Sequence, residues 1–159
     1  MTEDKSSDSK GVCRMRDILF KAKTYNGEWV QGLLAHKDNK WYISNKEGMP
    51  FAFEVRPETI GQYTGLKDKN GNKIWENDIV NKVDTNGLGY HRERKCKVSF
   101  DELGYWLLTT EYGDGYWLGE FDSEQLEVIG NIFDNPELLN YVDNEASQQA
   151  HQEVLKPAT

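Results

Sequence analysis

Residues 18–34 read ILFKAKTYNGEWVQGLL, and the fold follows from how this stretch alternates. Ile18, Phe20 and Ala22 share one face of an extended chain while Lys21 and Lys23 share the other, the period of two of a half-buried strand. Asn26-Gly27 comes next, a dipeptide that tolerates the positive φ angles of a type I′ reversal, and Glu28 to Leu34 resumes the apolar run. A β-hairpin is expected. The same grammar continues outward. Lys37-Asp38-Asn39 is a turn, Trp41 and Ile43 oppose Tyr42 in a third strand, and after a loop from Asn45 to Pro50 come Phe51, Phe53 and Val55 at spacing two. Pro57 has no N–H for a ladder and ends that strand.

Ile60 to Thr64 is again β-rich, Asn70-Gly71 suits a tight reversal, and a polar kink at Glu76-Asn77-Asp78 leads into Ile79-Val80 and a strand through Val83. Cys96, Val98 and Phe100 alternate with Lys95, Lys97 and Ser99, and Asp101 to Gly104 turns the chain into Tyr105-Trp106-Leu107-Leu108. Short strands, each with its own turn chemistry, indicate an all-β, mainly antiparallel fold: a compact curved sheet with SH3-like barrel elements. One short helix is expected at Asn135-Pro136-Glu137-Leu138-Leu139, with Asn135 as cap and proline where its missing N–H costs nothing. Residues 1–14 and 144–159 are too poor in large apolar groups to offset the entropy of ordering them. They read as a disordered extension and a flexible tail around one β domain at 15–143.

Composition narrows the function. The 159 residues carry 19 Lys and Arg against 27 Asp and Glu, a net charge of −8 that gives no bulk affinity for DNA. Five Trp, eight Tyr and six Phe make the apolar material unusually aromatic. No apolar run approaches the roughly 18 residues of a membrane span and the first residues lack a signal-peptide core, so a cytoplasmic location is expected. Cys13 and Cys96 form no CxxC pair, and His36, His91 and His151 lie at no metal-ligand spacing; no metal or other cofactor is expected.

Two longer stretches resemble a known family. Gln62-Tyr63-Thr64-Gly65-Leu66-Lys67-Asp68-Lys69-Asn70-Gly71 with Ile74-Trp75-Glu76-Asn77-Asp78-Ile79-Val80, and then Glu127-Val128-Ile129-Gly130-Asn131-Ile132-Phe133-Asp134-Asn135-Pro136-Glu137-Leu138, are similar to the two signature stretches of the YopX family. The opening Met15-Arg16-Asp17-Ile18-Leu19-Phe20-Lys21-Ala22 resembles its usual start, so the likeness covers about residues 15–141. The resemblance implies a small β-rich protein of phage or prophage origin, in the cytoplasm of a bacterial host. It brings no catalytic residue to carry over. Asn77 stands where relatives commonly have Gly, and Asn is the next residue to tolerate a left-handed backbone. The signature reads as turn chemistry, with Glu76 and Asp78 bonding nearby backbone N–H groups; as a strand pair they would present two carboxylates on one face for acid/base work or Mg²⁺.

Other candidates for chemistry are few. There is no Walker A, GxSxG or GxGxxG, and Asn86-Gly87-Leu88-Gly89 lacks the strand-to-helix setting of a phosphate cradle. Arg92 and Arg94 share a strand face with Cys96, while Lys95 and Lys97 share the other. Tyr112-Gly113-Asp114-Gly115-Tyr116-Trp117 reads as a glycine-flanked aromatic loop. The leading expectation is a non-catalytic protein-interaction module that engages a host or phage protein, or another copy of itself through its aromatic surface. The alternative is a nucleotide or small-molecule binder, as in counter-defence sequestration, with Arg92, Arg94, Tyr112, Tyr116 and Trp117 converging on an anionic aromatic ligand. A nuclease or hydrolase comes last, for want of an assembled constellation.

Overall fold

A computed structural model describes residues 16–44, 51–85 and 87–139. The extension at 1–14, the tail at 144–159 and the loop from Asn45 to Pro50 lie outside the described residues. Among the described residues eleven strands fall into two antiparallel sheets, as the alternation indicates. The first sheet contains β1 (Phe20–Lys23), β2 (Trp29–Lys37), β3 (Lys40–Ser44), β4 (Ala52–Val55), β5 (Gly61–Lys67) and β6 (Lys73–Trp75), in the order β4-β3-β2-β1-β5-β6. The second contains β7 (Asp78–Thr85), β8 (His91–Phe100), β9 (Trp106–Thr110), β10 (Gly115–Trp117) and β11 (Leu126–Asn131), in the order β10-β9-β8-β7-β11. Both sheets curve without closing. In the first, β4 curls back until Val55 bridges Thr24 and the Arg56 N–H donates to the Lys23 carbonyl at 2.8 Å.

The first hairpin forms where expected but by another turn. Gly27 takes φ 87° and its N–H donates to the Thr24 carbonyl at 2.9 Å, while Asn26 keeps an ordinary φ. This is a type I turn followed by a left-handed glycine, a three-residue loop whose twist also suits a hairpin. The two-residue reversal with both φ angles positive occurs instead at Asp38 (51°) and Asn39 (64°) between β2 and β3.

Ala22, Ile43 and Val55 fill the first sheet's core, and Val80, Cys96, Val98, Leu108, Leu118 and Leu126 fill the second's. Ile74 of β6 reaches into the second cluster and Trp75 packs with Leu19 and Tyr63, so β6 joins the two. At Pro136–Leu138 the chain forms a single 3-10 turn, the only helical turn at the place where the short helix was expected among the described residues. Asn135 does not cap it; its Oδ1 instead accepts from the Asn131 N–H at 3.4 Å.

Asn77 sits at the crossing from β6 to β7 with φ 70°, donating its N–H to the Val98 carbonyl at 2.9 Å and accepting from the Ile132 N–H at 3.0 Å. Glycine adopts this backbone without a Cβ penalty but loses more freedom on folding. Asn77→Gly is therefore expected to change stability by less than about 1 kcal/mol, and the β-branched Asn77→Val to cost about 2 kcal/mol, both read from urea unfolding.

Candidate protein-binding surface

The polar residues of the two signature stretches converge on the seam between the sheets. Asp68, 3% exposed, folds the turn from β5 to β6: one oxygen accepts from the N–H groups of Asn70 and Asn72, each at 2.9 Å. Its other oxygen accepts from the Val128 N–H of β11 at 2.9 Å, which ties the first stretch to the second. Asp78 accepts from the Trp75 N–H at 2.9 Å and meets the Lys21 ammonium at 2.6 Å. Asp134 takes the Lys23 ammonium, the Trp29 indole N–H at 2.8 Å and the Asn131 side-chain amide at 3.1 Å. The lysine face of β1 thus lies against the second sheet, with Lys21 also 5.1 Å from the Trp29 ring and 5.6 Å from Trp75. Alternation separates these lysines from Ala22, but it says nothing of what covers them. Glu76 and Asp78 do not form a carboxylate pair for chemistry: Asp78 is occupied as above, and Glu76 accepts from the Gln62 N–H at 3.2 Å.

These carboxylates titrate apart. Burial raises the Asp68 pKa, but the N–H groups of Val128, Asn72 and Asn70 outweigh it and hold it below the ordinary value. Hydrogen bonds from Lys23, Trp29 and Asn131 hold Asp134 at about 2. Burial raises Asp78, with Lys21 and the Trp75 N–H pulling it part of the way back. A carboxylate whose folded pKa is depressed adds stability above its unfolded pKa and loses it as pH falls through the folded value. The fold is therefore expected to lose stability between about pH 4 and pH 2, and Asp68→Asn to flatten that decline in urea melts taken across the range. Asp78 slopes the other way, contributing most in acid and less as pH rises through its folded pKa.

The five residues expected to meet on a ligand do not share one face. Arg94 and Tyr116 come together, guanidinium to phenol oxygen at 3.0 Å, with Asp114 on the same guanidinium nitrogen at 3.2 Å. Arg92 is exposed and stands opposite Asp84 across the β7–β8 ladder, and Tyr112 is exposed in the turn before β10. Tyr116 and Trp117 are consecutive in a strand, not in a loop, so they point to opposite faces. Cys96 is fully buried, and burial pushes its thiol up to about 12, with Lys82 acting against the rise. Such a thiol is no nucleophile.

Sequence reasoning missed Lys82. Its side chain is 1% exposed, pairs with Asp84, and places its ammonium 4.5 Å from the Tyr116 ring and 4.6 Å from the Phe121 ring. The available signal was its phase: Lys82 is two residues after Val80, on the buried face of β7. Among the described residues no group of three or more His, Cys, Asp or Glu side chains is arranged to hold a metal ion.

The other face of the second sheet carries the aromatic surface. Trp117 pairs in register with Leu107, and Tyr105, two residues before Leu107, shares that face. The Tyr105 and Trp117 rings stack with centroids 5.3 Å apart and planes 19° from parallel, yet they stay 49% and 52% exposed. They border a groove of about 430 Å³ whose other walls are Thr64 and Leu66 of β5, Gly104, Trp106, Gly119 and Glu120. The groove therefore draws on both sheets. Tyr25, Leu33, Phe51 and Phe53 are further exposed apolar side chains, and Tyr25 and Phe53 border smaller depressions of about 310 and 240 Å³ on the first sheet.

A two-sheet antiparallel β protein with its signature residues in the seam is the class this architecture defines. The chain belongs to the YopX family: the family model described as YopX protein matches residues 5–140. A solved structure, protein EF1440 from Enterococcus faecalis, is similar at 24% identity over 79% of this chain and 100% of that one, with a TM-score of 0.45. No curated protein matches the chain.

Proposed function

We propose that this chain is a non-catalytic protein-interaction module of a phage or prophage, acting in the bacterial cytoplasm, and that it docks a host or phage protein in the groove beside Tyr105 and Trp117. The half-exposed ring stack carries this reading. Stacked aromatics offer rigid contact area at low entropic cost, and a groove framed by two sheets keeps its shape without a partner. Asp68, Glu76, Asp78 and Asp134 of the signature stretches, by contrast, already have partners within the fold.

Photo-cross-linking tests the reading. Benzoylphenylalanine is placed at position 105 or, for comparison, at position 53, and the full chain is irradiated in a bacterial lysate. A discrete adduct at 105 that disappears in the Trp117→Ala background is expected, with none at 53. Adducts at 53 alone, or an adduct at 105 indifferent to Trp117→Ala, would move the docking surface elsewhere.

A further inference from the structure

The charge of this chain is divided along its length. Eighteen of its 19 Lys and Arg precede Val98, and none lies between Val98 and Leu155. Residues 98–139 hold ten Asp and Glu. That acidic stretch supplies both stacked rings and, with Gly104, Trp106, Gly119 and Glu120, most of the described residues that line the groove. Glu120 lines the groove itself, Asp101 and Glu102 lie in the turn before Tyr105, and Asp122 and Glu124 follow Glu120. Among the described residues the first sheet gives the groove Thr64 and Leu66, which bring no charge. Lys97 belongs to the same face of the second sheet, but in the row of Thr109 and Gly115 and not in that of Leu107 and Trp117.

We infer that the groove takes a short basic segment of a protein partner, with an arginine side chain laid on the Tyr105–Trp117 stack and its charge facing Glu120. This rests on the interaction-module reading above and adds the partner's chemistry. A guanidinium is planar and weakly hydrated, so it gives up little on leaving water to lie against an aromatic face, and a carboxylate at the rim compensates its charge. An acidic partner segment would be repelled by the same wall, and a nucleic acid more so. The arrangement selects for sign as well as for shape.

Fluorescence anisotropy with labelled octapeptides of one length distinguishes the possibilities. The peptides differ at two central positions, which carry Arg, Lys, citrulline or Glu, and each is titrated against the full chain. The Arg peptide is expected to bind best, the Lys peptide more weakly, and the citrulline peptide, equally planar but uncharged, about tenfold more weakly; the Glu peptide should not bind. Trp117→Ala leaves the net charge unchanged and is expected to weaken the Arg peptide about tenfold. The exposed Glu120→Gln should weaken it several-fold, with circular dichroism confirming that both variants are folded. Equal binding of the Arg peptide by wild type and Trp117→Ala would reduce the effect to bulk attraction and overturn the inference, as would absence of binding by every peptide. Citrulline binding as well as Arg, still dependent on Trp117, would refute the basic partner and leave the groove as a docking surface. Failure of the adduct at position 105 as well would remove both.

Discussion

Asp78→Ala is expected to lower the free energy of unfolding by about 4 kcal/mol, measured by urea denaturation. The Asp78 side chain is almost wholly inaccessible, and two groups depend on it: the Trp75 N–H at 2.9 Å and the Lys21 ammonium at 2.6 Å. Without the carboxylate, a buried N–H has no acceptor and a largely buried cation has lost its counter-charge between two indole rings. Each loss alone is worth about 1–3 kcal/mol. Asp78→Asn should cost less, since an amide oxygen can still accept from Trp75. The pairing itself is read from a double-mutant cycle with Lys21→Met. Removing the cation along with the carboxylate should recover about 1–2 kcal/mol relative to the sum of the two single changes.

The Lys82–Asp84 pair on the second sheet, buried at its lysine end, should respond unequally to loss of its two partners. Asp84→Ala is expected to cost about 3 kcal/mol, because it leaves the buried Lys82 ammonium against the Tyr116 and Phe121 rings without its carboxylate partner. Lys82→Met keeps a flexible chain of similar length between those rings, and it frees Asp84, a third exposed, to be solvated. Its cost should stay within about 1 kcal/mol, and a gain is compatible with how buried ion pairs respond to apolar replacement. Lys82→Ala also removes the aliphatic stem and is expected to cost about 3 kcal/mol by leaving a cavity. Thermal and urea unfolding of the three variants side by side give the order Met, then Asp84→Ala and Lys82→Ala together well below it.

Much of this architecture was legible because alternation and turn residues are local signals. Ala22, Val98 and Leu108 are buried in phase with their strands, and Asn26-Gly27, Asp38-Asn39 and Asn70-Gly71 fall at reversals. What was not legible depends on contacts distant in sequence. Lys21 and Lys23 look like a solvated face until Asp78 and Asp134, more than fifty residues away, are placed against them. Phe53 shares its strand face with Val55 but lies 47% exposed, since a two-residue period cannot tell where a core stops. The glycines around Tyr112 suggested a loop, and only the pairing of β10 with β9 sends Tyr116 to Arg94 and Trp117 to Tyr105. For the site, the aromatic residues were apparent in the sequence, but the division between two faces was not.

In the proposed function the signature residues fasten the fold and the ring stack binds the partner. The most direct trial is to immobilise wild type, Trp117→Ala and Asp78→Asn at equal amounts of folded protein and quantify, per folded molecule, the lysate protein that cross-links at position 105. Trp117→Ala is expected to retain its stability and lose the partner, while folded Asp78→Asn is less stable and retains the partner at the wild-type level. Loss of the partner by folded Asp78→Asn, with retention by Trp117→Ala, would contradict the account and put the binding chemistry in the seam.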